Sequence, residues 1–64
     1  MEKLYIYYIG NEETPHIAKV SERESERIIE EINDVSEYNL VHVGGGHYIN
    51  KKNVTLVIKS KLSD

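Results

Sequence analysis

The sequence predicts a small α+β domain, and three observations carry that reading. Leu4-Tyr5-Ile6-Tyr7-Tyr8-Ile9 is dense in the β-branched and aromatic residues that suit a pleated surface. A serine-capped stretch of helical spacing follows from Ser21, and from Asn39 onward the apolar pattern returns to period two. The order expected is β-β-α-β-β-β, a small antiparallel sheet with one helix packed on one face; a partly rolled, barrel-like sheet is the variant that such short final strands allow.

The first strand runs from Lys3 to Ile9. Alternation places Leu4, Ile6 and Tyr8 on one face and Tyr5, Tyr7 and Ile9 on the other, so both faces are apolar or amphipathic. A two-layer domain buries only one such face. The second is left for a partner subunit, a ligand or water, and tyrosine suits all three because its apolar ring ends in a polar tip. Gly10-Asn11-Glu12-Glu13-Thr14-Pro15 gathers turn formers and charge, which predicts a hairpin loop before a short strand from His16 to Val20. Pro15 marks that strand as an edge, where a missing backbone donor does no harm.

Ser21-Glu22-Arg23-Glu24 fits a capping box, in which the serine hydroxyl and the glutamate carboxylate satisfy each other's backbone N–H groups. The helix is expected from Glu22 to about Asn33, with Asn33 and Asp34 as stop signals. Its apolar positions, Ile28, Ile29, Ile32 and then Val35, fall in the second half, so docking is expected mainly through the C-terminal turns. Glu22, Arg23, Glu26, Arg27 and Glu30 are then exposed, with ion pairs Arg23 to Glu26 and Arg27 to Glu30. Three strand segments follow: Leu40 to Val43, His47 to Asn50, and Val54 to Lys59. Gly44-Gly45-Gly46 and the polar Lys51-Lys52-Asn53 connect them. On the last strand Val54, Leu56 and Ile58 share one face and Thr55, Val57 and Lys59 the other, and the tail from Ser60 to Asp64 is expected to fray unless a partner covers it.

The chain has 64 residues and reads as one domain, 1–64, with no linker or internal repeat. A chain this short buries only about 60% of the surface its unfolded form exposes. Without cysteine it has neither disulfides nor thiolate metal sites to compensate, which leaves self-association and predicts a homo-oligomer, with the second sheet face as its interface. No segment approaches the roughly 18 apolar residues of a membrane helix, and Met-Glu-Lys-Leu-Tyr carries no signal-peptide pattern, so a soluble, cytoplasmic protein with no membrane partner is expected. Net charge is -3 but uneven. Residues 1–38 hold ten acids and four bases, residues 39–64 four lysines against Asp64. This balance argues against duplex nucleic acid and leaves room for a small anionic ligand near the C-terminal half.

Chemistry is concentrated from Val41 to Val54. The triglycine fits no phosphate-loop template, because another strand and not a helix follows it. Its readings are a plain hairpin turn or a loop whose successive N–H groups meet an anion. His42 and His47 bracket the loop, and a hairpin brings them near each other, yet no cysteine or carboxylate stands by to complete a metal site, and His16 lies far away in sequence. No nucleophile accompanies either histidine at an interpretable spacing, so neither an enzyme nor a cofactor is predicted. The candidate ligand-binding set is Gly44, Gly45, Gly46, His47, Tyr48, Lys51, Lys52, Tyr5, Tyr7 and His42. The glycines and lysines would take phosphate, and Tyr48, Tyr5 or Tyr7 would stack on a base.

The run Tyr48-Ile49-Asn50-Lys51-Lys52-Asn53-Val54, following a capped helix and short strands, resembles small accessory proteins of phages and prophages of low-GC Gram-positive bacteria. Among these are oligomeric "sponges" that sequester cyclic nucleotides or cyclic ADP-ribose derivatives made by anti-phage systems. The resemblance implies binding without turnover, in pockets between subunits, within the host cytoplasm. The function expected is therefore a non-catalytic oligomeric binder of a nucleotide-derived signal. The alternative is a protein-interaction module that inhibits or regulates a host protein through its acidic helix or an open sheet edge.

Overall fold

Residues 1–61 are described by the computed structural model. In chain order they form β1 (Glu2–Tyr8), β2 (His16–Val20), α1 (Glu22–Asn33), β3 (Leu40–His42), β4 (Tyr48–Asn50) and β5 (Val54–Lys61), with one 3-10 turn at Lys51–Asn53. The α+β class and the order of elements match the expectation. Ser60 and Lys61 extend β5 and do not fray; the rest of that tail lies outside the described residues.

The strands do not make one sheet. β2, β1 and β5 form a three-stranded antiparallel sheet in that order, and β3 with β4 forms a separate hairpin. The 3-10 turn carries the chain away from β4, and the Ile9 N–H donates to the Asn53 carbonyl at 2.8 Å, which sets the start of β5 beside the end of β1. β1 is thus the central strand, and its inward residues Leu4 and Ile6 are wholly buried. They meet Ala18 and Val20 of β2, Ile28 of α1, and Val41 and Val43 of the hairpin, with Ile29, Ile32, Ile49, Val54 and Val57 packed around them. Helix and hairpin therefore cover the same sheet face.

The alternation expected for β5 is broken at its start. Tyr7 pairs with Leu56 but Tyr8 pairs with Val54, so Thr55 is an extra residue on the β5 side. This bulge turns Val54 away from the Leu56 and Ile58 face and onto the core. Further along, Lys59 follows Val57 on the inner face, where its Nζ lies 3.7 Å from the buried carboxylate of Glu2.

α1 begins where its cap predicts, the Ser21 hydroxyl accepting the Glu24 N–H at 3.1 Å. The reciprocal half of the box is not made, because the Glu24 carboxylate is taken by Arg27. Val35 lies beyond the helix and is almost fully exposed, since the helix already ends at Asn33. The helix also docks through its first half. Ser25, too small to register as an apolar position, is fully buried and lets the helix approach the sheet closely. Arg27 pairs with Glu24 and Glu31, not Glu30, and is half-buried, not solvated, because it turns toward the hairpin.

Candidate functional site

Three tight structures position the site. The first is the Gly44–His47 turn. The His47 N–H donates to the Gly44 carbonyl at 3.0 Å, and the Val43 N–H donates to the His47 carbonyl at 2.9 Å. Gly45 and Gly46 both have positive φ, at 59° and 77°, the sense of the type I′ turn that matches strand twist. Gly44, at φ 97°, is also in a backbone conformation that a side chain would strain. The triglycine is therefore a hairpin turn by necessity, whatever else it does.

The second is the anchor that holds this hairpin over the sheet. One nitrogen of the Arg27 guanidinium donates to the His42 carbonyl at 2.9 Å and to Glu24 at 3.0 Å; the other terminal nitrogen donates to Glu31. The hydrogen bond with Glu24, with the second carboxylate adding to it, raises the Arg27 pKa further above its ordinary range. Glu24 is pulled below the usual carboxylate value by that same bond. The third is Lys51, whose ammonium donates to the Asp34 carbonyl at 2.7 Å and to Ser36 at 3.3 Å, satisfying carbonyls left open past the helix end.

A cleft of about 280 Å³ opens where the hairpin overhangs the ends of β1 and β2. Tyr8, His16, His47, Tyr48, Ile49, Asn50 and Asn53 line it. The rings of His16 and His47 stand 5.4 Å apart between centroids, and a smaller recess on the other side of this pair is bordered by Gly44 and Gly45. Among the described residues, the lining has two tyrosine hydroxyls, two imidazoles and two carboxamides but no carboxylate, serine, threonine or lysine. Such a set can stack on a flat ring and hydrogen-bond its edge in both directions.

The candidate residues predicted from sequence divide accordingly. His47 and Tyr48 line the cleft, and Gly44 and Gly45 border the adjoining recess, with Gly46 at the turn between them. His42 does not join His47: its ring packs on Tyr48, its cross-strand partner, at 5.0 Å. Lys51 is committed to the helix end, and Lys52 is exposed on the 3-10 turn. Tyr5 and Tyr7 lie on the sheet face away from Leu4 and Ile6, so they do not reach the cleft of their own chain. Among the described residues, no group of three His, Cys, Asp or Glu side chains is placed to hold a metal ion.

His16, Tyr8, Asn50 and Asn53 were not foreseen. The local signal for His16 was only its position at the start of β2; its meeting with His47 depends on the hairpin folding back across the sheet. Burial, with the neighbouring His47 adding to it, lowers the His16 pKa below its ordinary value of about 6.5. As pH falls below about 6.5, the unfolded chain takes up this proton before the folded one, so folding weakens until His16 in the folded protein is also protonated. Urea midpoints at about pH 7.5 and about pH 5.5 should show a smaller loss in His16→Asn than in wild type. Equal losses would mean that His16 is not the group responsible.

Fold and cleft together define a small α+β protein with a polar, aromatic cleft. Compared with family models, curated proteins and solved structures, the chain has no match. Among the described residues, no helix is long and apolar enough to cross a membrane.

Proposed function

We propose that this chain is a non-catalytic binding protein for a small nucleotide-derived ligand of the cyclic nucleotide or cyclic ADP-ribose type, sequestered in the cytoplasm as a phage counter-defence. The observation that supports the reading is the composition of the cleft: two tyrosines, two histidines and two asparagines converge there, without a carboxylate among the described residues. The stacking and hydrogen-bonding groups match a base and its edge. Among the described residues the lining has no carboxylate to orient either histidine as a general base, and this favours binding without turnover. The glycine turn bordering the adjoining recess is the place for the ligand's phosphate, beside the imidazole pair.

Isothermal titration against a panel of cyclic mono- and dinucleotides and cyclic ADP-ribose isomers should find at least one ligand, bound once per chain. Tyr48 is exposed, so Tyr48→Ala leaves the fold intact. It should weaken that ligand by about fivefold or more, the lower end of what one stacked base contributes. Silence across the panel would overturn the proposal, as would binding unaffected by both Tyr48→Ala and His47→Ala.

A further inference from the structure

Among the described residues no element covers the sheet face away from the helix, and this face is unusually apolar for a surface. Tyr5 lies between Ile17 of β2 and Ile58 of β5, and Tyr7 faces Leu56. These five side chains form one patch across all three strands. Ile17, Leu56 and Ile58 remain 48%, 52% and 44% exposed, which is far more than isolated surface aliphatics require when they adjoin one another.

The two ends of this face carry opposite charge. At the start of β1, Lys3 is paired across the strands with Lys19, and its ammonium sits 5.8 Å from the Tyr5 ring centroid. Beyond the far end of β1, the loop to β2 carries Glu12 and Glu13 and the turn entering β5 carries Lys52, all exposed, so that end is net acidic. An apolar centre with a basic end and an acidic end is complementary to itself when turned end for end. That is the requirement of an isologous two-fold contact.

We infer that this face is the contact surface of a homodimer, two copies stacked sheet against sheet with their β1 strands antiparallel. A two-fold axis lying between the sheets and perpendicular to the strands brings Lys3 and Lys19 of each copy toward Glu12 and Glu13 of the other. It also closes the Tyr5, Ile17 and Ile58 patches on each other at the usual sheet spacing of about 10 Å. The face spans only three strands, at the low end of interface sizes, so the dimer is expected to be weak. Each copy keeps its own cleft, while Ile17 and Lys19 also line the smaller recess beside the glycine turn, so the dimer contact borders that recess.

Sedimentation equilibrium from about 10 µM to about 1 mM tests for a weak association. The mass should rise from one chain toward two. Lys3→Glu with Lys19→Glu should weaken association by about tenfold or more, as like-charge contacts across an interface do, and adding Glu12→Lys with Glu13→Lys should restore it. Ile17→Gln, on the strand farthest from β5, should weaken association as well. Circular dichroism melts establish that each variant is folded. A monomer throughout the range overturns the inference. So does a dimer indifferent to the charge reversal and to Ile17→Gln, which would place association elsewhere, such as along the open edge of β5.

Discussion

Ile6→Ala should leave the protein largely unfolded in water at 25 °C. Ile6 is wholly buried on the central strand, between His16 of β2 and Val57 of β5 and beneath the helix and hairpin. Truncating a buried isoleucine removes about 2 to 5 kcal/mol, the upper part of the range applying where the surroundings cannot collapse into the space. Here they are held on four sides by separate elements. A single core in a chain of this length supplies about 3 to 5 kcal/mol in all, so one such change consumes most of it. Far-UV circular dichroism and urea unfolding measure the effect directly. Ile6→Val should remain folded, with a loss of about 1 kcal/mol. An Ile6→Ala protein with an unchanged midpoint would place the core elsewhere.

Arg27→Met should loosen the β3–β4 hairpin and, with it, the cleft. Methionine keeps much of the apolar stem of arginine and removes the guanidinium, so the change isolates the polar contacts from the packing. What is lost is the bond to the His42 carbonyl, the one polar contact from the helix to β3 among the described residues. A hydrogen bond from a charged donor contributes about 1.5 to 3 kcal/mol when buried. Because a third of the Arg27 side chain remains exposed, and its carboxylate partners more, the expected loss is nearer 1 to 2 kcal/mol on the order-of-magnitude scale for such pairs. Amide exchange should speed at Val43 and His47, whose N–H groups close the hairpin turn. Any ligand held by His47 and Tyr48 should bind more weakly. Arg27→Lys should recover little, since an ammonium cannot reproduce the fork that joins the carbonyl to two carboxylates. Unchanged exchange at both amides would show that the anchor is not Arg27.

These two residues mark different degrees of legibility. Ile6 was readable as core from alternation alone, because side chains on a strand point to the two faces in turn. Arg27 read as one member of a solvated helix face, and spacing paired it with Glu30; only the hairpin's position over the helix revealed that its partners are Glu24, Glu31 and a backbone carbonyl of β3. Lys51 and Lys52 looked like a pair of phosphate ligands because they are adjacent and basic. The carbonyls left open past the helix end claimed the first, a demand invisible in the residues around Lys51 itself.

By itself the sequence determined the elements and their order. Period-two and helical spacing, the Ser21 cap, and the glycine and proline breaks are local quantities, and they placed β1, β2, α1 and the hairpin turn to within a residue or two. Tertiary structure alone decided which strands became neighbours and which side chains met. The 3-10 turn sent β5 to β1, not to β4, the bulge at Thr55 turned Val54 inward, and the folding back of the hairpin set His47 against His16. Each of these depends on contacts between segments distant in the chain, where the energy lies in burial and in satisfying backbone groups, and no local pattern encodes which distant segment will supply them.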